Sequence, residues 1–258
     1  MSKGTAIRVG CCGWGFYRGG LKEYCRKFGL VEVQQTFYRL PMVSTAQRWR
    51  EEVPREFEFT VKAWQAITHP PSSPTWRRSG LKPEELSRRM YGWLRPTKDN
   101  FEAWDRTAEI CSALRARVCV IQTPPNFGCT SENIRNMREF LSSVERQDLV
   151  LAWEPRGDWN DHPDEIKKVC DELDLAHVVD LMRRDPLSEH PVAYIRLHGL
   201  NPREHDYNYR YSDNEIMALA RKARALAAER REVYVMFNNV YMYESAEKLE
   251  KVLGKRER

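Results

Sequence analysis

Eight short β-type runs recur along the chain, most of them separated by stretches of helical character. The runs are Ile7–Cys12, Leu30–Phe37, Phe57–Trp64, Val118–Thr123, Leu149–Glu154, Ala176–Leu181, Ala193–His198 and Glu232–Asn238. The intervening stretches include the amphipathic segments Glu132–Val144, Asp164–Leu173 and Asp213–Glu229. Strands alternating with helices form parallel sheets through crossover connections, and eight strands close such a sheet into a barrel. An open, doubly wound sheet is the rival. Against it, the first turn reads Gly10-Cys11-Cys12-Gly13-Trp14, which is not the glycine-rich dinucleotide fingerprint. The expectation is an α/β fold: a single TIM-type (β/α)8 barrel over residues 1–258, with a long loop insertion after strand 3.

No Gly/Ser linker or fixed-period repeat divides the chain, and 258 residues bury a full core without a disulfide or metal staple. Lys and Arg number 42 against 37 Asp and Glu, a net charge of +5 that permits an anionic partner without demanding one. Both signs are dense, a composition that leans toward a thermophile. No run approaches the roughly 20 apolar residues that span a bilayer, so no membrane partner is expected. The start, Met1 to Gly10, lacks the apolar run and cleavage site of a signal peptide, which points to a cytoplasmic protein. The seven cysteines are an odd number and read as free thiols, not a disulfide framework.

Side chains alternate faces along a strand, so the apolar positions reveal which residues point into the barrel. In the seventh strand Ile195 and Leu197 face the helices, leaving Tyr194, Arg196 and His198 inside. The same parity turns Glu154 inward in the fifth strand and Glu58, Thr60 and Lys62 in the third. It turns Glu32, Gln34 and Thr36 inward in the second. Gln122, Asp180 and Asn238 share faces with the alternating residues of strands four, six and eight. Polar groups thus collect at the carboxyl ends of the strands, where barrels of this type place catalysis. The alternative is an ion-pair network plugging the barrel top, because buried charges must be paired, solvated or liganded.

The connection from Trp64 to Phe101 is long and carries Pro70, Pro71 and Pro74, which forbid a continuous helix. It is expected either to cover the mouth as a lid, bringing His69 within reach of Lys62 or Glu154, or to pack as a surface insertion. In the lid reading Arg77 and Arg78 line the entrance and draw in anions.

Several runs together resemble the domain of unknown function 72 family, also called YecE-like proteins. They are Val9-Gly10-Cys11-Cys12-Gly13-Trp14, Val31–Pro41, Phe59–Ala63 with Ile67-Thr68-His69, and Gln122-Thr123-Pro124-Pro125. Trp153-Glu154-Pro155-Arg156, Arg196-Leu197-His198-Gly199 and Phe237-Asn238-Asn239 continue the match in order across nearly the whole chain. Gln34-Gln35 and Trp153–Gly157 look like an archaeal branch, whereas the Cys11-Cys12 pair departs from the usual small or hydroxyl residues. The resemblance implies a TIM-type barrel and supplies no reaction.

The residue types suggest acid/base chemistry on a small polar or anionic, sugar- or phosphate-like substrate, of hydrolase, lyase or isomerase type. Glu154 and Asp180 divide acid and base roles if their environments differ. Lys62 serves as a base or an anion clamp, and His69 and His198 titrate near neutrality. Arg156 and Arg196 hold a carboxylate or phosphate, with Glu32, Gln34, Gln122, Asn238, Arg77 and Arg78 as further binding groups. A second reading is a nucleic-acid-binding or metal-dependent nuclease-like barrel, with Arg77, Arg78, Trp64, Trp76 and Trp93 on bases or sugars. Its metal ligands would be Glu32, Glu154, Asp180 and His198 around a divalent cation. Cys11, Cys12, Cys25 and Cys129 offer an alternative iron–sulfur or zinc set, without any Cys-x-x-Cys, while Cys111, Cys119 and Cys170 read as core. A non-catalytic ligand-binding barrel is the third reading.

Overall fold

Runs rich in β-branched and aromatic residues form the strands β1 (Ala6–Cys11), β2 (Leu30–Val33), β3 (Glu58–Lys62), β4 (Val118–Gln122), β5 (Val150–Glu154), β6 (Leu175–Val179), β7 (Val192–Leu197) and β8 (Glu232–Phe237). In the computed structural model, which describes residues 6–204 and 206–254, all eight join in chain order as a closed barrel. The eight expected runs are the eight strands. The largest departure is β2, which stops at Val33 and gives way to a helical turn over Gln35–Tyr38. The Thr36 hydroxyl lies 2.6 Å from Val33 O and 2.7 Å from Lys62 O, and its single O–H donates to one of these two carbonyls at a time. The contact back to Val33 is a local side-chain bond of the kind that competes with a strand ladder, and the alternation expected for Gln34 and Thr36 does not apply beyond Val33.

Backbone contacts divide the chain into two compact units. One takes the chain up to Glu32, Val53–Phe57 and the chain from Ala176 onward. Here β1 and β8 pair from Ala6↔Glu232 to Cys11↔Phe237, and β7 and β8 from Val192↔Glu232 to Leu197↔Phe237. Tyr194 and Tyr234, directly opposite each other, stack at 5.6 Å. The helix Asp213–Glu229 starts at a capping box of Ser212 and Glu215 and buries Ile216, Leu219, Ala220, Ala223 and Leu226 at three-to-four-residue spacing.

The other unit takes Val33–Glu52 and Glu58–Leu175. Its strands pair from Thr60↔Val118 to Lys62↔Val120 and from Val118↔Val150 to Gln122↔Glu154. The connection after β3, expected as a long loop, is not one continuous loop. It is built from the short helical segments Gln65–Thr68, Pro74–Arg78 and Pro83–Leu86, before the helix Lys98–Leu114. Gly92, Leu94 and Trp93 donate backbone N–H bonds to Ala66 (2.7 Å), Ile67 (3.0 Å) and Thr68 (3.1 Å). The buried Asn100 side chain ties both backbone groups of Gly92 at 3.0 Å. At φ 88°, a Cβ on Gly92 would lie 2.4 Å from Pro70 N, so only glycine passes there.

Candidate functional site

In the unit holding β3 to β5, the strand ends present Lys62, Gln122 and Glu154, all buried. The helical turn that ends β2 places Phe37 against Lys62, whose Nζ is 4.0 Å from the ring centroid. His69, capping the Gln65–Thr68 segment, meets the same ring edge-on at 4.9 Å, and its Nδ1 is 2.8 Å from the Thr68 hydroxyl. Burial, then the charges of Lys62 and Arg156, lower the His69 pKa to about 3. The expectation of a His69 titrating near neutrality is therefore corrected: this imidazole is neutral at physiological pH. Lys62 and His69 contact the same Phe37 ring, and the charge of Lys62 acts on the imidazole. Arg156 donates Nη2 and Nε to Glu154 Oε1, at 2.9 and 3.2 Å, in a largely buried ion pair.

In the other unit, Tyr194 and Arg196 reach Glu32 through the barrel interior, since β8 and β1 stand between β7 and β2. The Tyr194 hydroxyl donates to Glu32 Oε2 at 2.9 Å, and Arg196 Nη2 to Oε1 at 3.0 Å. Both charged side chains are 0% exposed. Arg196 Nη2 also lies 3.8 Å from Cys12 Sγ. Glu32 and Arg196 therefore serve each other as an internal ion pair, which is what the plug reading describes for this part of the barrel.

Asp180 is fully buried and spends both oxygens on backbone: Met182 N donates to Oδ1 at 3.0 Å and His198 N to Oδ2 at 3.2 Å. Burial raises its pKa from 3.8 to about 6, against the lowering effect of those two bonds and of Arg183. The His198 ring is buried and meets Tyr207 at 5.5 Å. Next to it, Gly199 has φ 111°, and a Cβ there would be 2.3 Å from Tyr209 Cβ. Arg183 Nη2 donates to the carbonyls of Gly199 (2.6 Å) and Asn201 (2.8 Å), fixing the turn after β7.

Several expected partners are not brought together. Cys11 and Cys12 are consecutive and face opposite ways. Cys11 lies in the field of Glu247 and Glu250 on the helix Met242–Gly254, and its backbone N–H is bound by the Tyr24 hydroxyl, whereas Cys12 faces Arg196. Among the described residues, no three His, Cys, Asp or Glu side chains are grouped as metal ligands, so neither the Glu32, Glu154, Asp180, His198 set nor the Cys11, Cys12, Cys25, Cys129 set forms a centre. Arg77 and Arg78 are exposed on the Pro74–Arg78 turn, with Arg78 over the Tyr38 ring at 3.7 Å. Trp76 stacks on Tyr91 at 5.5 Å and Trp93 on Phe127 at 6.1 Å, which uses these rings in packing. Gln34 and Asn238 are half-buried just beyond their strands.

Sequence reasoning missed three groups. The β-type run Leu30–Phe37 places Phe37 in a strand, whereas the local bonding of Thr36 is a turn signal. Strand parity turns Tyr194 inward but gives it no role, whereas its hydroxyl donates to Glu32. Asn239 follows the named Asn238; it is buried, donates Nδ2 to Tyr209 O at 2.6 Å, and its Oδ1 has no hydrogen-bond partner among the described residues.

Relatives agree with the barrel topology. YunF, a UPF0759 protein of Bacillus subtilis (strain 168), is 24% identical over 90% of this chain and 88% of its own. A solved DUF72 family protein of Thermotoga maritima superposes with a TM-score of 0.72 at 23% identity, covering 96% of this chain and 99% of that one. A D-tagatose 3-epimerase-like protein superposes at 0.58 with 14% identity, covering 96% and 97%, a likeness of fold alone. The first two relatives are bacterial and lend no support to the archaeal branch expected from Gln34-Gln35 and Trp153–Gly157. The profile described as "Protein of unknown function DUF72" matches residues 8–258, and the chain belongs to that family.

Proposed function

We propose that this protein is a barrel enzyme that performs acid/base chemistry on a small polar or anionic substrate at the carboxyl ends of β3, β4 and β5. One observation carries the reading: at the buried ends of β3 and β5, Lys62 and His69 meet on one ring, Phe37, while Arg156 holds Glu154 at 2.9 Å. A neutral histidine near two cations offers a hydrogen bond without adding charge, while the cations bind an anion. In this reading Lys62 and Arg156 hold a phosphate or carboxylate. Glu154, oriented by Arg156, exchanges the proton, and Gln122, paired in register with Glu154, positions a hydroxyl. The D-tagatose 3-epimerase-like neighbour makes sugars and sugar phosphates the first substrates to try.

The test is a panel of sugar phosphates and hydroxy acids in deuterated water, read by exchange of carbon-bound hydrogen and by product formation. Turnover that Glu154→Gln lowers by about a hundredfold or more supports the proposal. Lys62→Ala should raise KM more than it lowers kcat. Turnover indifferent to Glu154→Gln would sink it. Saturable single-stranded DNA binding with a steep salt dependence, and no turnover, would favour the nucleic-acid reading instead.

A further inference from the structure

A cleft of about 580 Å³ lies within the β3–β5 unit, and none of Lys62, His69, Glu154 or Arg156 lines it. We infer that it binds a small organic anion: a phosphate or carboxylate carried on an apolar or aromatic body. The volume suits a ligand of that size.

Its walls are aromatic and held in place. Tyr38, Trp64 and Tyr91 line it. Tyr91 packs at 5.6 Å from Trp64 and is backed by Trp76, whose indole N–H donates to Pro70 O at 2.8 Å. The Gly92–Leu94 strap that follows Tyr91 is tied to residues 66–68, so the wall is preformed. The Trp64 indole N–H has no acceptor among the described residues, although Trp64 is only 5% exposed.

The charge of the lining is positive, and two of its three arginines are not spent internally. Arg39, Arg89 and Arg106 stand against the single carboxylate Glu85. Glu85 is engaged in capping Lys82 N at 3.0 Å, and Arg89 is paired to Asp99 at 2.9 Å. Among the described residues, Arg39 and Arg106 have no carboxylate partner. Arg106 lies 4.9 Å from the Trp64 ring, and Arg39 reaches toward Gly80 on another part of the lining. A guanidinium not committed to an acid, set on an aromatic face, is suited to a planar oxyanion. The lip supplies the apolar contact, because Met42 and Leu81 are 74% and 38% exposed beside Leu40 and Pro41.

Calorimetric titration with 1-naphthyl phosphate, inorganic phosphate and 1-naphthol tests this directly. The aryl phosphate should bind at one equivalent, at least about tenfold more tightly than either half-probe. The Arg39→Ala/Arg106→Ala variant, both positions being exposed, should keep its fold by circular dichroism and lose about tenfold or more in affinity. Lys62→Ala should leave this binding unchanged, which separates it from the strand-end site whatever the fate of the proposed reaction. No saturable binding, affinity unaltered in the double arginine variant, or affinity lost in Lys62→Ala would each overturn the inference.

Discussion

The Lys62 ammonium stands 4.0 Å from the centroid of the Phe37 ring, and His69 meets the same ring edge-on at 4.9 Å. One phenyl group therefore fixes a cation and an imidazole that belong to different segments. Phe37→Leu keeps an apolar side chain and removes the ring's quadrupole. Urea denaturation should show a loss of about 1–2 kcal/mol, from the cation–π contact and the imperfect fill. No loss would mean that the contact carries no stability.

His69 gives a pH dependence of defined sign. Its pKa falls from 6.5 in the unfolded chain to about 3 in the fold. Between those values the unfolded chain binds the extra proton, so the stability linked to His69 is present above pH 6.5 and is lost as pH falls toward 3. Ring resonances of His69 should show no protonation from pH 8 down to pH 5. Lys62→Ala, by removing the second-largest cause, should move the midpoint upward. A wild-type midpoint near 6 would contradict the burial argument.

Glu32 and Arg196, both without solvent contact, should respond asymmetrically to mutation. Removing one partner leaves a buried charge uncompensated and costs about 3–5 kcal/mol, whereas replacing both with apolar side chains of similar size costs much less. Glu32→Gln and Arg196→Met should each lower the denaturation midpoint strongly, and Glu32→Leu/Arg196→Met should recover most of it. Strictly additive losses would show that the two residues stabilise the barrel independently.

Asp180 has the opposite sign to His69. Its folded pKa of about 6 exceeds the ordinary 3.8, so the fold binds the extra proton between those values. Stability linked to Asp180 is present below pH 3.8 and is lost as pH rises through 6. The linked free energy is on the order of 3 kcal/mol. The stability of Asp180→Asn relative to wild type should therefore increase between pH 4 and pH 7. A flat difference would place the carboxyl in a more polar setting than its burial implies.

The strands were legible because alternation and β-branching act locally, and both survive in β4 and β7. The inward facing of Tyr194, Arg196 and Glu32 was legible by the same parity. Their bonding was not, because Glu32 and Arg196 are separated by 164 positions and meet only through the closed strand order. Gln34, Thr36 and Phe37 fall outside the strand alternation because β2 ends at Val33, where the Thr36 hydroxyl competes for backbone carbonyls and the chain turns helical. The cleft beside Trp64 was invisible in the sequence for a related reason. Its lining comes from four separate stretches, 38–42, Trp64, 79–91 and Arg106, that no local pattern connects.

The same face reversal at Cys11 and Cys12 predicts how the thiols react. Cys11, Cys12, Cys111, Cys119 and Cys170 are buried, whereas Cys25 and Cys129 are half-buried. Burial pushes the Cys11 and Cys12 thiols well up, which suppresses the thiolate that alkylating reagents require. Iodoacetamide on the native protein should label Cys25 and Cys129 first, located by peptide mass mapping. Denaturation under acid quench without reductant should then expose the remaining five buried thiols, for the seven of the sequence. Labelling of Cys12 at the rate of Cys129 would mean that the strand-end interior opens to solvent. A total of five or fewer would mean that the cysteines pair, which the opposed directions of Cys11 and Cys12 argue against for those two.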